Sequence, residues 1–379
     1  MKRICIAALL SLIFLTGCWD SIELNDRAIV LGGGMDLDEE GQYVSSLQIA
    51  IPSKFGQINQ RGGEAPEQSV LVKAATGKTA FDARQNIQNK VERKIFRLQQ
   101  QSFFAGEELA KQGLKESIDM RLRYNDFPVR ANYSVVKGGR SVDLLTNTSD
   151  LEVATSLSTN NIQKQFAQGV TTTFLDFQKR MYGPSNPVLT AWEIQSSPGL
   201  SGPEQSVDFY GLAAFNKELQ LVGYLNEDES KDLLWIQNKL EYIALVIPYG
   251  GQDQTAGLRV QDLKRKISPK VKDGKMHLHV QLDGKGSVQE NNTNLDLSAS
   301  KDVERLEKEA EKYYQKRVED MIDKVQSEYQ TDILDFGLTL FRKHPQEWKQ
   351  VKQNWEEIFT ETEVTVDVNI KIRDVGLVT

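Results

Sequence analysis

Residues 363–374 read EVTVDVNIKIRD, in which Val364, Val366, Val368, Ile370 and Ile372 alternate strictly with Thr365, Asp367, Asn369 and Lys371. Successive side chains of an extended chain point to opposite faces, so this segment predicts a strand of a sheet with one dry and one wet side. Upstream, Ser300 reads as an N-cap with Asp302 and Glu304 in the favourable first turn of a long helix. Val303, Leu306, Ala310, Tyr313, Arg317, Met321 and Val325 then recur at helical spacing as its buried stripe. Before that helix, Met276, Leu278, Val280 and Leu282 share one face of a second strand.

The rest of the chain alternates strand-like and amphipathic runs, which predicts an α+β (mixed α/β) fold of three consecutive domains with mixed sheets packed by helices. A hairpin is expected from Ala28–Met35, a turn at Asp38–Gly41 and Tyr43–Pro52, followed by an exposed loop over 53–67 and a strand at Val70–Ala75. Phe81, Arg84, Ile87 and Val91 mark one face of a helix after Gly77. Strands at 102–105, 129–136 and 188–195 and helices at 107–122 and 151–166 complete an N-terminal domain, 18–197. Proline and glycine in Ser196-Ser197-Pro198-Gly199-Leu200-Ser201-Gly202-Pro203 predict a linker, 198–205. A small middle domain, 206–267, and a C-terminal domain with the long helix, 268–379, follow.

The chain opens with basic Lys2 and Arg3, an apolar run from Ile4 to Leu15, and then Leu15-Thr16-Gly17-Cys18. The apolar run is shorter than the ~20 residues needed to span a bilayer. It ends in small residues before a cysteine, the pattern of a lipoprotein signal peptide, 1–17, cleaved between Gly17 and Cys18. The Cys18 thiol is the nucleophile that takes the diacylglyceryl group, and two acyl chains give stable anchoring where one does not. The protein is therefore expected on a membrane surface outside the cytoplasm.

Loss of residues 1–17 removes two positive charges and no acid, bringing the formal net charge from −7 to about −9. An acidic body argues against nucleic acid and against a polybasic membrane-binding surface. Of the two cysteines, Cys5 leaves with the signal and Cys18 carries lipid, so no disulfide and no cysteine metal ligand is expected.

Catalytic patterns are weak. His277 and His279 lie two apart on one strand face, the geometry of a metal pair, but they share that face with Gln281 opposite Met276, Leu278 and Val280, and read as a solvated face. His344, before Pro345, reads as a surface residue. Gly32-Gly33-Gly34 follows a strand without opening a helix or a lysine-serine pair, so a bulge or turn is expected rather than a phosphate loop; Gly138-Gly139 and Gly250-Gly251 read as turns. Lys264-Arg265-Lys266 is short for a headgroup-binding patch. No serine lies in a nucleophile elbow. No catalytic, metal or cofactor-binding residue is assigned, and binding is favoured over catalysis.

Several segments in order resemble the Ger(x)C family, the lipoprotein C subunits of nutrient germinant receptors of spore-forming bacteria. These are Gly17-Cys18-Trp19-Asp20 with Glu23 and Leu24, Gly77-Lys78-Thr79, Gly106-Glu107-Glu108-Leu109-Ala110, and GLAAFNKELQLVGYLNEDESKDLL over 211–234. Asp335-Phe336-Gly337-Leu338, Trp348, Trp355-Glu356-Glu357-Ile358-Phe359 and the final strand to Gly376 complete the likeness, which spans essentially the mature chain. Two positions depart from it: Gln99-Gln100-Gln101 stands where many members have a histidine, and Gly33-Gly34-Met35-Asp36 replaces glycine-isoleucine-aspartate, so no shared function is carried to them. The resemblance implies three mixed α/β domains, attachment to the outer face of the spore inner membrane, and A and B subunits as partners. The nutrient would be a small molecule held by this subunit or by those partners. Only Cys18 transfers as a defined site. A solute-binding lipoprotein of a transporter is the alternative reading, and a surface hydrolase, lacking motifs, the third.

Overall fold

A computed structural model of the chain describes residues 23, 26–52, 69–124, 126–147, 151–166, 172–199, 202–251, 254–272 and 275–376. Strands β1 (Arg27–Leu37), β2 (Tyr43–Ala50), β3 (Val70–Gly77), β4 (Lys94–Phe96), β5 (Ser102–Gly106), β6 (Asn132–Lys137), β7 (Val188–Gly199), β8 (Gly202–Phe215) and β9 (Leu221–Asn226) form one sheet. Its order is β3-β2-β1-β5-β6-β7-β8-β9, with β4 beside the start of β1. The central strands β1, β5, β6 and β7 run parallel and the flanking pairs antiparallel. A second sheet orders β10 (Tyr242–Pro248), β11 (Thr255–Lys272), β12 (Lys275–Asn291) and β13 (Glu363–Asp374). The fold is mixed α/β, with two mixed sheets.

Helices α1 (Ala80–Asn86), α2 (Glu107–Gln112), α3 (Lys115–Leu122), α4 (Ser141–Thr146), α5 (Thr155–Phe166) and α6 (Phe174–Met181) connect the strands of the first sheet. After α7 (Glu227–Ile236), the chain between β12 and β13 carries α8 (Ser300–Lys324), α9 (Phe336–Lys343), α10 (Pro345–Val351) and α11 (Trp355–Glu361). That long crossover is what the parallel β12–β13 pairing requires.

The described residues of the expected linker, 198, 199 and 202–205, are strand. Pro198 pairs with Pro203 and Gly199 with Gly202, so β7 and β8 stay paired through the described residues of the segment expected as irregular. Ladder bonds of the flanking residues carry the strands across positions where proline donates nothing. In consequence the segment expected as a middle domain, 206–267, is divided: β8 and β9 extend the first sheet, whereas β10 and β11 belong to the second.

Other expectations shift locally. The helix expected over 107–122 is two helices, divided at Gly113, whose φ of +124° no helix accommodates. In α1 the buried face is Ala80, Ala83 and Arg84, while Phe81 is exposed. Ala299, not Ser300, occupies the cap position of α8, and its buried stripe runs through Tyr314 and Val318 rather than Tyr313 and Arg317. The triple glycine lies inside β1, next to a register shift between Val30 and Gly32. Its role is close approach: a Cβ at Gly32 would meet Ser156 Cβ at 2.4 Å, and one at Gly34 would meet Ser141 Oγ at 2.0 Å, so α4 and α5 could not sit on the strand.

The final strand is as its alternation predicts, with Val366 and Ile370 buried and Val364, Val368 and Ile372 packed against the same core. As an edge strand it needs protection for its free donors. Helix α8 supplies it, since the Glu311 carboxylate accepts from the Ile370 N–H (3.1 Å) and Glu307 from the Ile372 N–H (2.8 Å). Burying a carboxylate on the dry face should be costly, so Val366→Asp is expected to lose several kcal/mol, whereas Asn369→Ser on the wet face stays within ~0.5 kcal/mol. Denaturant melts of the two variants check this; equal midpoints would contradict the assignment of faces.

Candidate functional site

The one site residue assigned from sequence, Cys18, and the Gly17 before it lie outside the described residues. The paired histidines are on β12 as expected, each facing an acid of β13: His277 Nδ1 is 3.1 Å from a Glu363 carboxylate oxygen, and His279 Nε2 is 3.4 Å from one of Asp367. His279 Nδ1 also lies 3.0 Å from the Thr365 hydroxyl. All are partly solvent-exposed, and among the described residues no group of three or more His, Cys, Asp or Glu is arranged to hold a metal ion. His344 stands between α9 and α10. Gly138 and Gly250 take positive φ of 68° and 63°. The basic triplet is split by the strand pleat: Lys264 and Lys266 are exposed, while the Arg265 guanidinium turns the other way and donates to Thr339 Oγ1 at 3.0 Å.

The structure instead concentrates polar organisation where the two sheets meet. Asp332 is fully buried there, accepting from the backbone N–H groups of Leu334 (3.1 Å), Phe336 (3.2 Å) and Gly337 (2.6 Å) and from the Trp355 indole N–H (3.0 Å). It thus caps the start of α9 and ties that start to α11. Burial pushes its carboxyl up to about 6, against those hydrogen bonds, which favour the ionised form. Gly337 is obligatory beside it, because a Cβ there would meet Trp355 Nε1 at 2.6 Å and the Pro184 carbonyl at 2.8 Å.

Three residues on, Asp335 takes a left-handed conformation (φ 64°), which aspartate tolerates better than most residues. Its carboxylate meets the Arg180 guanidinium of α6 in a bidentate pair (2.8 and 3.0 Å), with only 5% and 13% of the two side chains exposed. Asn186 N–H donates to the Asp332 carbonyl (2.8 Å), Leu338 N–H to Ser185 Oγ (3.3 Å) and the Gln237 amide to the Ile333 carbonyl (2.7 Å). Helix α6, the end of α7 and the start of α9 are thereby fixed around one cleft of about 750 Å³.

Cations line that cleft. Besides Arg180 they include Lys164 at the end of α5, Lys239 after α7, Arg265 of β11 and Arg342 of α9. Lys239 is an exposed residue, yet the surrounding walls and the neighbouring Arg180 push its ammonium down to about 8. Burial, with Arg342 nearby, also lowers Arg265. Sequence reading missed the cleft because its residues come from five separated segments. The visible signal was the Asp335-Phe336-Gly337 run, and Asp332 itself carried none.

Comparison with known proteins gives this arrangement its context. Residues 20–194 match the family model "Spore germination protein N-terminal domain", and residues 210–376 match "Spore germination B3/GerAC like, C-terminal". The chain belongs to the Ger(x)C family of spore germination proteins. Between the two matched segments lie the paired ends of β7 and β8. Among relatives of this Ger(x)C chain, spore germination protein KC of Bacillus subtilis (strain 168) is 27% identical, covering 100% of this chain and 97% of the other. Spore germination protein B3 of the same organism is 25% identical over 97% of this chain and 96% of its own length. The crystal structure of the GerBC protein has the same fold, with a TM-score of 0.59 and 20% identity over 93% of this chain and 99% of that one. Membership in the germinant receptor C-subunit family supports a role in spore germination.

The Asp332 network yields a signed pH prediction. An acid whose folded-state value is raised, here from 3.8 to about 6, costs stability as pH rises between those values, because the unfolded chain ionises first. Wild type should therefore be most favoured over Asp332→Asn below pH 3.8 and lose that margin up to pH about 6. Asp332→Ala, which strands four donors, should cost more than about 3 kcal/mol at neutral pH. Urea melts across this range check both, and a pH-independent difference between wild type and Asp332→Asn would contradict the burial argument.

Proposed function

We propose that this chain is the lipid-anchored, non-enzymatic C subunit of a nutrient germinant receptor, acting through contacts with membrane A and B subunits on the outer face of the spore inner membrane. The observation that carries the reading is the match of both halves of the chain to spore germination family models. The Leu15-Thr16-Gly17-Cys18 segment supports the anchor, with cleavage after Gly17 and a diacylglyceryl group on Cys18. In this reading the lipid supplies the attachment; among the described residues no helix is long and apolar enough to cross a membrane. An anchor holds the body beside its partners at high local concentration, which raises the occupancy of weak contacts without new contact area.

Spores lacking this protein are expected to stop responding to the nutrients of one receptor while still germinating with calcium dipicolinate, which bypasses receptors. Restoring the Cys18→Ala form should rescue little, because the unanchored body is diluted. Dipicolinate release from deletion spores given each nutrient singly reads this out. Normal release with every nutrient, in a strain without a redundant receptor, would count against the receptor assignment; mass spectrometry of the wild-type protein without a diacylglyceryl mass on Cys18 would remove the anchor.

A further inference from the structure

The cleft at the sheet junction is charged against the trend of the molecule. Across a chain of formal net charge −7, its wall presents Lys164, Arg180, Lys239, Arg265 and Arg342. Of the acids there, Asp335 is held by Arg180 through both oxygens, and Asp176 lies 3.5 Å from Lys179. Arg265 spends one N–H on a neutral hydroxyl. Lys164, Lys239 and Arg342 have no carboxylate partner among the described residues. Like charges gathered in one concavity repel, and the depressed values of Lys239 and Arg265 reflect that crowding as well as burial. The fold tolerates this cost, whereas cations such as Lys115, Arg123, Arg140 and Lys285 each meet an acid on open surface.

We propose that this cleft is a binding site for a small molecule carrying two or more negative charges on carboxylate or phosphate. Its volume of about 750 Å³ falls within the ~300–1,000 Å³ range of small-ligand pockets. Arginine forks recognise carboxylate and phosphate oxygens in pairs, and the lysines add point charges that attract them. The cations come from both sides of the junction: Lys164 and Arg180 from helices of the first sheet, Arg265 and Arg342 from β11 and α9 of the second. A bound dianion bridges them and relieves the repulsion, so occupancy stiffens the joint between the sheets. The proposal stands whether or not the receptor reading holds, because it rests on the cleft alone.

The test uses the full-length protein in non-ionic detergent at low ionic strength. Calorimetric titration is performed with citrate, inorganic phosphate, glucose 6-phosphate, glucose and choline. Saturable binding of at least one anion is expected, with no heat from glucose or choline, and the anions that bind separate carboxylate from phosphate recognition. Combined Lys239→Ser and Arg342→Ser should weaken that anion at least tenfold while the anion-free melting temperature is unchanged or raised, because neither side chain loses an ion pair among the described residues and the repulsion in the cleft falls. Should that double variant not fold, Lys164→Ser alone is read in the same way, with a threefold or greater loss expected. Absence of saturable binding by all three anions, or unchanged affinity in the folded variants, overturns the proposal. So does cleft-dependent binding of phosphatidylglycerol vesicles without binding of any soluble anion, which would make the site a membrane contact.

Discussion

The junction of the two sheets depends on one buried carboxylate. An ionised carboxylate removed from water is very costly unless hydrogen bonds replace its hydration, and Asp332 offsets part of that cost through three backbone N–H groups and one indole. Each donor fixes something separate. Phe336 and Gly337 set where α9 begins, Leu334 closes the turn before it, and Trp355 brings α11 alongside. With that turn fixed, the Asp332 and Ile333 carbonyls face Asn186 and Gln237, and Asp335 faces Arg180. The cleft exists because this turn has one shape.

A second set of contacts makes the two sheets a continuous body. Asp232 of α7, wholly buried, meets Arg317 of α8 at 2.6 and 3.0 Å, and Lys324 of the same helix reaches Glu229 at 2.9 and 3.0 Å. Glu229 also completes a capping box with Asn226 at the start of α7. The Tyr329 hydroxyl donates to the Tyr224 carbonyl at 2.6 Å. The apolar packing agrees, since Val188, Leu212 and Leu225 of the first sheet lie in the same core as Leu258, Val280 and Val366 of the second. Shared core disfavours independent domain motion, so a contact made at one sheet is felt at the other. That property suits the receptor role proposed above.

Much of the fold was legible in local pattern. The alternation in β13, the β1–β2 hairpin with its turn at Asp38–Gly41, and the long helix α8 rest on periodicity, and periodicity is a property of neighbouring residues. Local reading failed where tertiary pairing overrode propensity. Pro198, Gly199, Gly202 and Pro203 break regular structure in isolation, yet the flanking ladder carries β7 and β8 through them. The stripe of α8 came out displaced toward Tyr314 and Val318, because which flank of an amphipathic helix is buried depends on the surface it meets.

What the sequence by itself determined is the signal-like start ending at Cys18, the mixed α/β character, the acidic body and the likeness to germinant receptor C subunits, all carried by residues adjacent in the chain. The tertiary structure alone decided that segments expected as separate domains share two sheets, that Asp332 is the acceptor at their junction, and that Arg180, Lys239, Arg265 and Arg342 line one cleft. The physical reason is distance along the chain: Arg180 and Asp335 stand 155 residues apart, and burial and pairing at such separation are consequences of packing, which leaves no period in the sequence to read.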